Sequence, residues 1–168
     1  AKAQPNAAHI ALANLAKHFN VNIITQNVDD LHERAGSANV LHLHGKLREV
    51  RSTANPNLVY DIDAEPIFIG SLCQQGAQLR PNIVWFGEAV PMMETAATLL
   101  NNCDYFVVAG TSLQVYPAAS LLYYAPPYLP KFIIDKKIPA TEKMLNLHII
   151  EMPATAGVVE LKRILSTV

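Results

Sequence analysis

Asp104-Tyr105-Phe106-Val107-Val108-Ala109-Gly110-Thr111-Ser112 is the stretch on which the reading of this chain turns. Its apolar residues run on without alternation, as in a strand buried on both faces. A glycine and two hydroxyl residues follow at once, which suits a strand end facing a ligand.

The same pattern extends in both directions. Upstream, residues 83–86 read as a strand leading to Gly87, and residues 93–101 as a helix. Downstream, residues 118–125 read as a helix stopped by Pro126-Pro127, and residues 132–134 and 147–150 as strands. Residues 158–165 read as a closing helix with Val158, Leu161, Ile164 and Leu165 inward. Toward the start, Pro5-Asn6 signals a helix with Asn6 as N-cap, and Ala8, Leu12, Leu15 and Phe19 give it one apolar face. Residues 21–25 form a β-branched strand, residues 26–30 a polar loop, and residues 31–35 a helical turn closed by Gly36. Residues 40–44 form a strand ending at Gly45. Residues 46–82 differ, with Pro56, Pro66 and Pro81 and short apolar patches at 58–60 and 67–69. They read as a small inserted lobe without long elements. Apolar strands alternating with helices make the fold class α/β, a parallel sheet with helices on both faces.

Bulk numbers narrow the function. The chain has 168 residues, 51% hydrophobic and 16% charged, a globular composition with net charge −1. Neither a nucleic-acid surface nor a membrane surface is indicated, and no apolar run is long enough to cross a bilayer. Cys73 and Cys103 are the only cysteines. Two free thiols in a reducing cytoplasm are the simpler reading, and one disulfide is the alternative. No CxxC pair occurs, so no four-cysteine zinc site can be built. With no secretory signal and no initiator Met, the chain reads as part of a longer cytoplasmic protein.

Polar groups collect at three strand ends. Gln26, Asn27 and Asp29 offer amides and a carboxylate, Gly110-Thr111-Ser112 offers backbone and hydroxyls, and Asp135 could accept from a ribose diol. Singly, each is an ordinary polar turn. Together, TQNxDxLHxRAG (residues 25–36), LHxHG (41–45), LRPxxVWFGE (79–88) and GTSxxVYPAA (110–119) resemble the sirtuin family of NAD-dependent protein-lysine deacylases, with bacterial members nearest in look.

That resemblance implies a Rossmann-like domain over residues 1–45 and 83–168, interrupted by the lobe at 46–82. It implies NAD as co-substrate, acyl-lysine proteins as partners, and nicotinamide, O-acyl-ADP-ribose and free lysine as products. Gln26, Asn27, Val28 and Asp29 would contact nicotinamide and its ribose, with Asn27 counted as catalytic. His44 would be the general base. Gly110, Thr111, Ser112 and Asp135 would hold the rest of NAD. Val84, Phe86, Gly87 and Glu88 would line the acyl-lysine channel and pair with substrate backbone, with Val115 and Tyr116 as the facing strand. The chemistry agrees: a histidine titrates near neutrality, as a base acting on a ribose hydroxyl must, and an apolar wall such as Phe86 excludes water.

Other conspicuous residues take plainer readings. His9, His18, His42 and His148 are surface or satisfied core histidines, His32 a structural hydrogen-bonding residue, Trp85 packing, Met92-Met93 filler and Lys136-Lys137 a solvated pair. The chain departs from the family in three ways, the slightest being Asp135 where the family often has Asn. The lobe stands at the zinc-ribbon position with only Cys73 as a thiol, so no metal is expected. Packing of Leu58, Tyr60, Ile62, Ile67, Phe68, Ile69 and Leu72 would replace the about 10 kcal/mol that structural zinc supplies. The family's Gly-rich NAD loop, and the Tyr and Arg by which some bacterial members read succinyl groups, would lie upstream of Ala1, so this stretch alone is expected to be nearly inactive. A monomeric deacetylase or desuccinylase is the leading reading. A module that holds NAD or ADP-ribose without turnover is the alternative.

Overall fold

The computed structural model describes residues 2–63, 65–138 and 144–166. Helix α1 (Ala7–Leu15) starts where the sequence places it. The Asn6 side chain accepts from the amides of Ala8 (2.9 Å) and His9 (3.2 Å), and His9 Nδ1 accepts from Asn6 N (3.3 Å), a reciprocal capping box. Strand β1 (Ile23–Thr25) runs parallel to β2 (Val40–His42), joined by the crossover that holds α2 (Leu31–Arg34).

An antiparallel sheet of order β4-β3-β5 follows, made of β3 (Gly45–Ser52), β4 (Val59–Asp61) and β5 (Leu79–Ile83). The chain returns through α3 (Met93–Asn101) and β6 (Phe106–Ala109). It then passes a 3-10 turn at Ala118–Ser120, α4 (Leu121–Tyr124), β7 (Lys131–Asp135), β8 (Leu147–Glu151) and α5 (Ala154–Leu165). β6, β7 and β8 form a parallel sheet in that order.

Strand β7 shows why the helices lie on both faces. Phe132 and Ile134 pack with Ala8 and Leu15 of α1 and Val158, Leu161 and Leu165 of α5. Ile133 points the other way, into Leu122 and Val108. Burying each such side chain is worth about 1.5–3 kcal/mol. Gly157 lets α5 approach β7 closely, because a Cβ there would overlap the Ile134 side chain. A third cluster, of Leu43, Ala96, Leu100, Ala118 and Leu121, takes in Ile24, Leu41 and Phe106, so one core joins the two parallel sheets.

Several expectations need correction. The strand expected at 83–86 lies at Leu79–Ile83, because β3 offers partners only as far as Gly45↔Ile83. Pro81 is tolerated there since β5 is an edge strand. Helix α5 begins at Ala154, four residues before its first expected core residue. The region at 46–82 carries the eight-residue β3. Of its apolar residues, Phe68, Ile69 and Leu72 are 68%, 102% and 57% exposed, Leu58, Tyr60, Ile62 and Ile67 are half-buried, and full burial falls on Val50, Ser52 and Cys73. Gln78 adds cohesion. Its Nε2 donates to the carbonyls of Phe68 (3.0 Å), Ser71 (3.1 Å) and Leu79 (2.9 Å), and its Oε1 accepts from Gly70 N (2.7 Å).

Candidate active site

The loop after β1 is pinned along its backbone. Asn27 N donates to Thr25 Oγ1 (3.1 Å), Leu47 N donates to Val28 O (2.8 Å), and Asp29 Oδ1 accepts from Leu31 N (3.1 Å) to open α2. Two histidines complete the fixation. His42 Nδ1 donates to Asn27 O (3.1 Å) while its Nε2 meets Glu33 Oε1 (2.8 Å), a satisfied core histidine. His44 Nδ1 lies 3.1 Å from Gln26 O. A carbonyl can only accept, so Nδ1 carries a proton, and in the neutral ring Nε2 is the nitrogen with the free lone pair. The side-chain amides of Gln26 and Asn27 make no hydrogen bond among the described residues.

His44 is followed by Gly45 for a steric reason. Gly45 has φ +78°, and a Cβ there would fall inside the Asn82 carbonyl, so only glycine allows β3 to start against β5. The same approach brings Val84 N to His44 O at 2.9 Å. Val84 is half-buried, whereas Trp85 and Phe86 are 54% and 99% exposed; the packing role expected of Trp85 does not hold. The Glu88 carboxylate is engaged inside the chain. It accepts from Arg80 at 2.6 and 3.2 Å, from Arg51 at 3.5 Å and from Trp85 N at 3.0 Å. The Arg80 hydrogen bonds, then that of the Trp85 amide, hold its pKa down to about 2.

The second group sits at the carboxyl ends of β6 and β7. Gly110 N donates to Ile134 O (3.0 Å), setting Gly110 beside Asp135. Thr111 Oγ1 accepts from Leu113 N (3.3 Å), and Asp135 Oδ1 accepts from Lys137 N (3.1 Å). The amides of Thr111 and Ser112 have no partner among the described residues, which fits a nucleotide at this edge. Val115 and Tyr116 form a turn, with Ala119 N donating to Val115 O (2.9 Å); among the described residues they belong to no strand.

The Sir2 family profile matches residues 1–117. The chain belongs to the Sir2 family. It is similar to an NAD-dependent protein deacylase of Bacteroides thetaiotaomicron, 47% identical over 167 residues, covering 96% of this chain and 71% of the relative. A second relative of the same name, from Helicobacter pylori, is 56% identical over 133 residues, covering 79% of this chain and 56% of the relative. A crystal structure of a Sir2 homolog–NAD complex superposes with a TM-score of 0.85 at 38% identity, over 99% of this chain and 66% of that one. The chain thus spans between about half and seven-tenths of the length of these relatives.

Within this Sir2 fold, hydrogen bonds join Gln26, His44 and Val84 into one group, with the adjacent Asn27 held by His42, and Gly110 to the Asp135 strand in another. No hydrogen bond among the described residues links the two groups. The shared core does, since Leu43, next to His44, packs with Ala118 beyond the 110–116 segment. Sequence reasoning missed Arg51 and Arg80, although Arg80 stands inside the LRPxxVWFGE motif. His32 departs from its expected role: its Nδ1 is buried without a partner, its ring lies 4.6 Å from that of His9, and burial, then the neighbouring His9, lowers its pKa.

No group of three or more His, Cys, Asp or Glu among the described residues could hold a metal, and the Cys73 thiol donates to Ser52 Oγ at 3.3 Å. Cys73 and Cys103 are both free. No described helix is long and apolar enough to cross a membrane.

Proposed function

We propose that the protein carrying this chain is an NAD-dependent protein-lysine deacylase with His44 as general base. The placement of His44 carries the proposal. Its Nδ1 donates to Gln26 O (3.1 Å) and its carbonyl accepts from Val84 N (2.9 Å), so the ring stands between the amide-bearing loop and the apolar segment with Nε2 free. When bound, NAD would supply the electrophile, a ribose carbon made reactive by its nicotinamide leaving group. The chain's own residues do the rest. Gln26, Asn27, Val28 and Asp29 hold the nicotinamide side, and Gly110, Thr111, Ser112 and Asp135 the remaining ribose and phosphates. His44 Nε2 takes a proton from a ribose hydroxyl so that the acyl group can migrate. Val84, Phe86 and Gly87 flank the acyl-lysine and keep water out, with Val115 and Tyr116 opposite.

The catalytic domain on this reading comprises residues 1–45 and 83–168, with 46–82 as an inserted lobe that works without zinc. The free thiols suit a cytoplasmic protein, and a monomer acting on acyl-lysine proteins is the simplest assembly. In the whole protein, His44→Ala should lower turnover of an acetyl- or succinyl-lysine peptide about 100-fold while calorimetry still detects NAD binding. Unchanged turnover with both peptides would remove His44 from the role.

A further inference from the structure

Strands β3 and β5 place Arg51 and Arg80 directly opposite each other. Like charges in that relation repel. Glu88 answers both. Its two oxygens bind Arg80 in a fork at 2.6 and 3.2 Å, and Oε2 lies 3.5 Å from Arg51. The same Oε2 accepts from Trp85 N at 3.0 Å, and Glu88 N donates to Trp85 O at 3.0 Å, closing the turn over residues 85–88. Arg80 also donates to Ile83 O at 3.2 Å, where β5 ends. Beyond the Val84–His44 bond, one carboxylate therefore ties the antiparallel sheet to the turn carrying Phe86. Core packing cannot hold that segment, since Trp85 and Phe86 are exposed.

The geometry points to Arg51–Glu88–Arg80 as a clamp through which the inserted lobe sets the acyl-lysine wall, with Glu88 as a positioning residue. This rests on the reading of residues 84–87 as the substrate channel. It revises the expectation that Glu88 pairs with substrate, and it gives the lobe a task that needs no metal. A bidentate arginine–carboxylate pair fixes direction as well as distance, which is what an unpacked turn lacks. The clamp is also insensitive to pH near neutrality: with a folded pKa of about 2 against 4.5, its contribution is complete above about 4.5 and lost only as pH falls toward 2.

Trp85 is the only tryptophan among these 168 residues and lies in the clamped turn, so once any tryptophan elsewhere in the whole protein is replaced by phenylalanine its fluorescence reports on the clamp without reference to activity. In the whole protein, Glu88→Gln and Arg80→Gln should each lower Trp85 anisotropy and raise KM for the acyl-peptide about tenfold, the effect of one lost charge-assisted hydrogen bond. KM for NAD should stay unchanged, and the double variant should be no worse than either single one. Arg51→Gln, which removes only the longest contact, should give a smaller change in the same direction and serves if the others fold poorly; Glu88→Asp should restore part of the loss. Unchanged anisotropy in folded Glu88→Gln, equal rises in both KM values, or additive single effects would overturn the clamp. An inactive wild type would instead refute the deacylase reading, with the anisotropy comparison still deciding the clamp.

Discussion

Lys131→Met tests how β7 is anchored. Lys131 opens β7 and is 2% exposed, yet its ammonium lies among carbonyls: Pro126 at 2.8 Å, Leu129 at 2.9 Å, Pro127 at 3.2 Å and Leu145 at 3.5 Å. It ties the turn after α4 to the approach to β8. Methionine keeps the buried stem and removes the cation. Pro126 O retains another donor, Leu129 N at 3.1 Å. The carbonyls of Pro127 and Leu129 lose a charged one, at about 1–3 kcal/mol each. Relief from burying a cation offsets part of that. The net expectation is a loss of about 2–4 kcal/mol, or about 5–15 °C in melting temperature. Burial lowers the pKa of Lys131 below 10.5, so the unfolded chain binds more protons in the window just under that value. Stability of the wild type relative to Lys131→Met should therefore rise with pH through that window. Calorimetric melting of both proteins from neutral to alkaline pH measures this. A variant as stable as the wild type at neutral pH, or a stability difference that shrinks as pH rises, would refute the reasoning.

Gly45→Ala should unfold the protein or abolish activity, because the added Cβ would overlap the Asn82 carbonyl at a φ of +78°; circular dichroism and turnover would show it. Elemental analysis should find no stoichiometric zinc, and a chelator should leave the melting temperature unmoved, whereas Gln78→Ala should lower it by removing the amide that gathers residues 68–79. The folded pKa of His32 lies below 6.5, through burial and then His9. The unfolded state thus takes up the proton first, and stability should fall as pH drops below about 6.5. His9, Glu33, Asp29 and His42 act on the same ring, and His32→Leu should flatten this acid limb in pH-dependent melts.

What the sequence made legible was whatever depends on local order. The run at 105–109 is apolar without a break, and β6 lies within it; the helix expected at 93–101 coincides with α3. Asn6 caps α1 because capping is decided within three residues. Residues whose roles depend on partners far along the chain were harder to read. Leu79-Arg80-Pro81-Asn82-Ile83 carries a proline at its centre, which argues against a strand, so the strand was placed too late, and with it went the cross-strand meeting of Arg51 and Arg80. Lys131 fell outside the strand read at 132–134, because the carbonyls around it come from a turn and from the approach to another strand. Phe68 and Ile69 read as core by hydrophobicity alone, which cannot say which side of a loop meets solvent. Of the candidate site, His44 was singled out through its motif. The hydrogen bond to Gln26 that frees its Nε2 appears only when β1 and β2 lie side by side.

The most direct test follows nicotinamide and lysine together. The whole protein is incubated with NAD and an acyl-lysine peptide, and both nicotinamide released and peptide deacylated are quantified by chromatography with mass detection. The account predicts one nicotinamide per lysine freed, none without peptide, and loss of both signals in His44→Ala. Deacylation without nicotinamide, NAD cleavage that ignores the peptide, or NAD binding with no turnover of acetyl or succinyl peptides would contradict it.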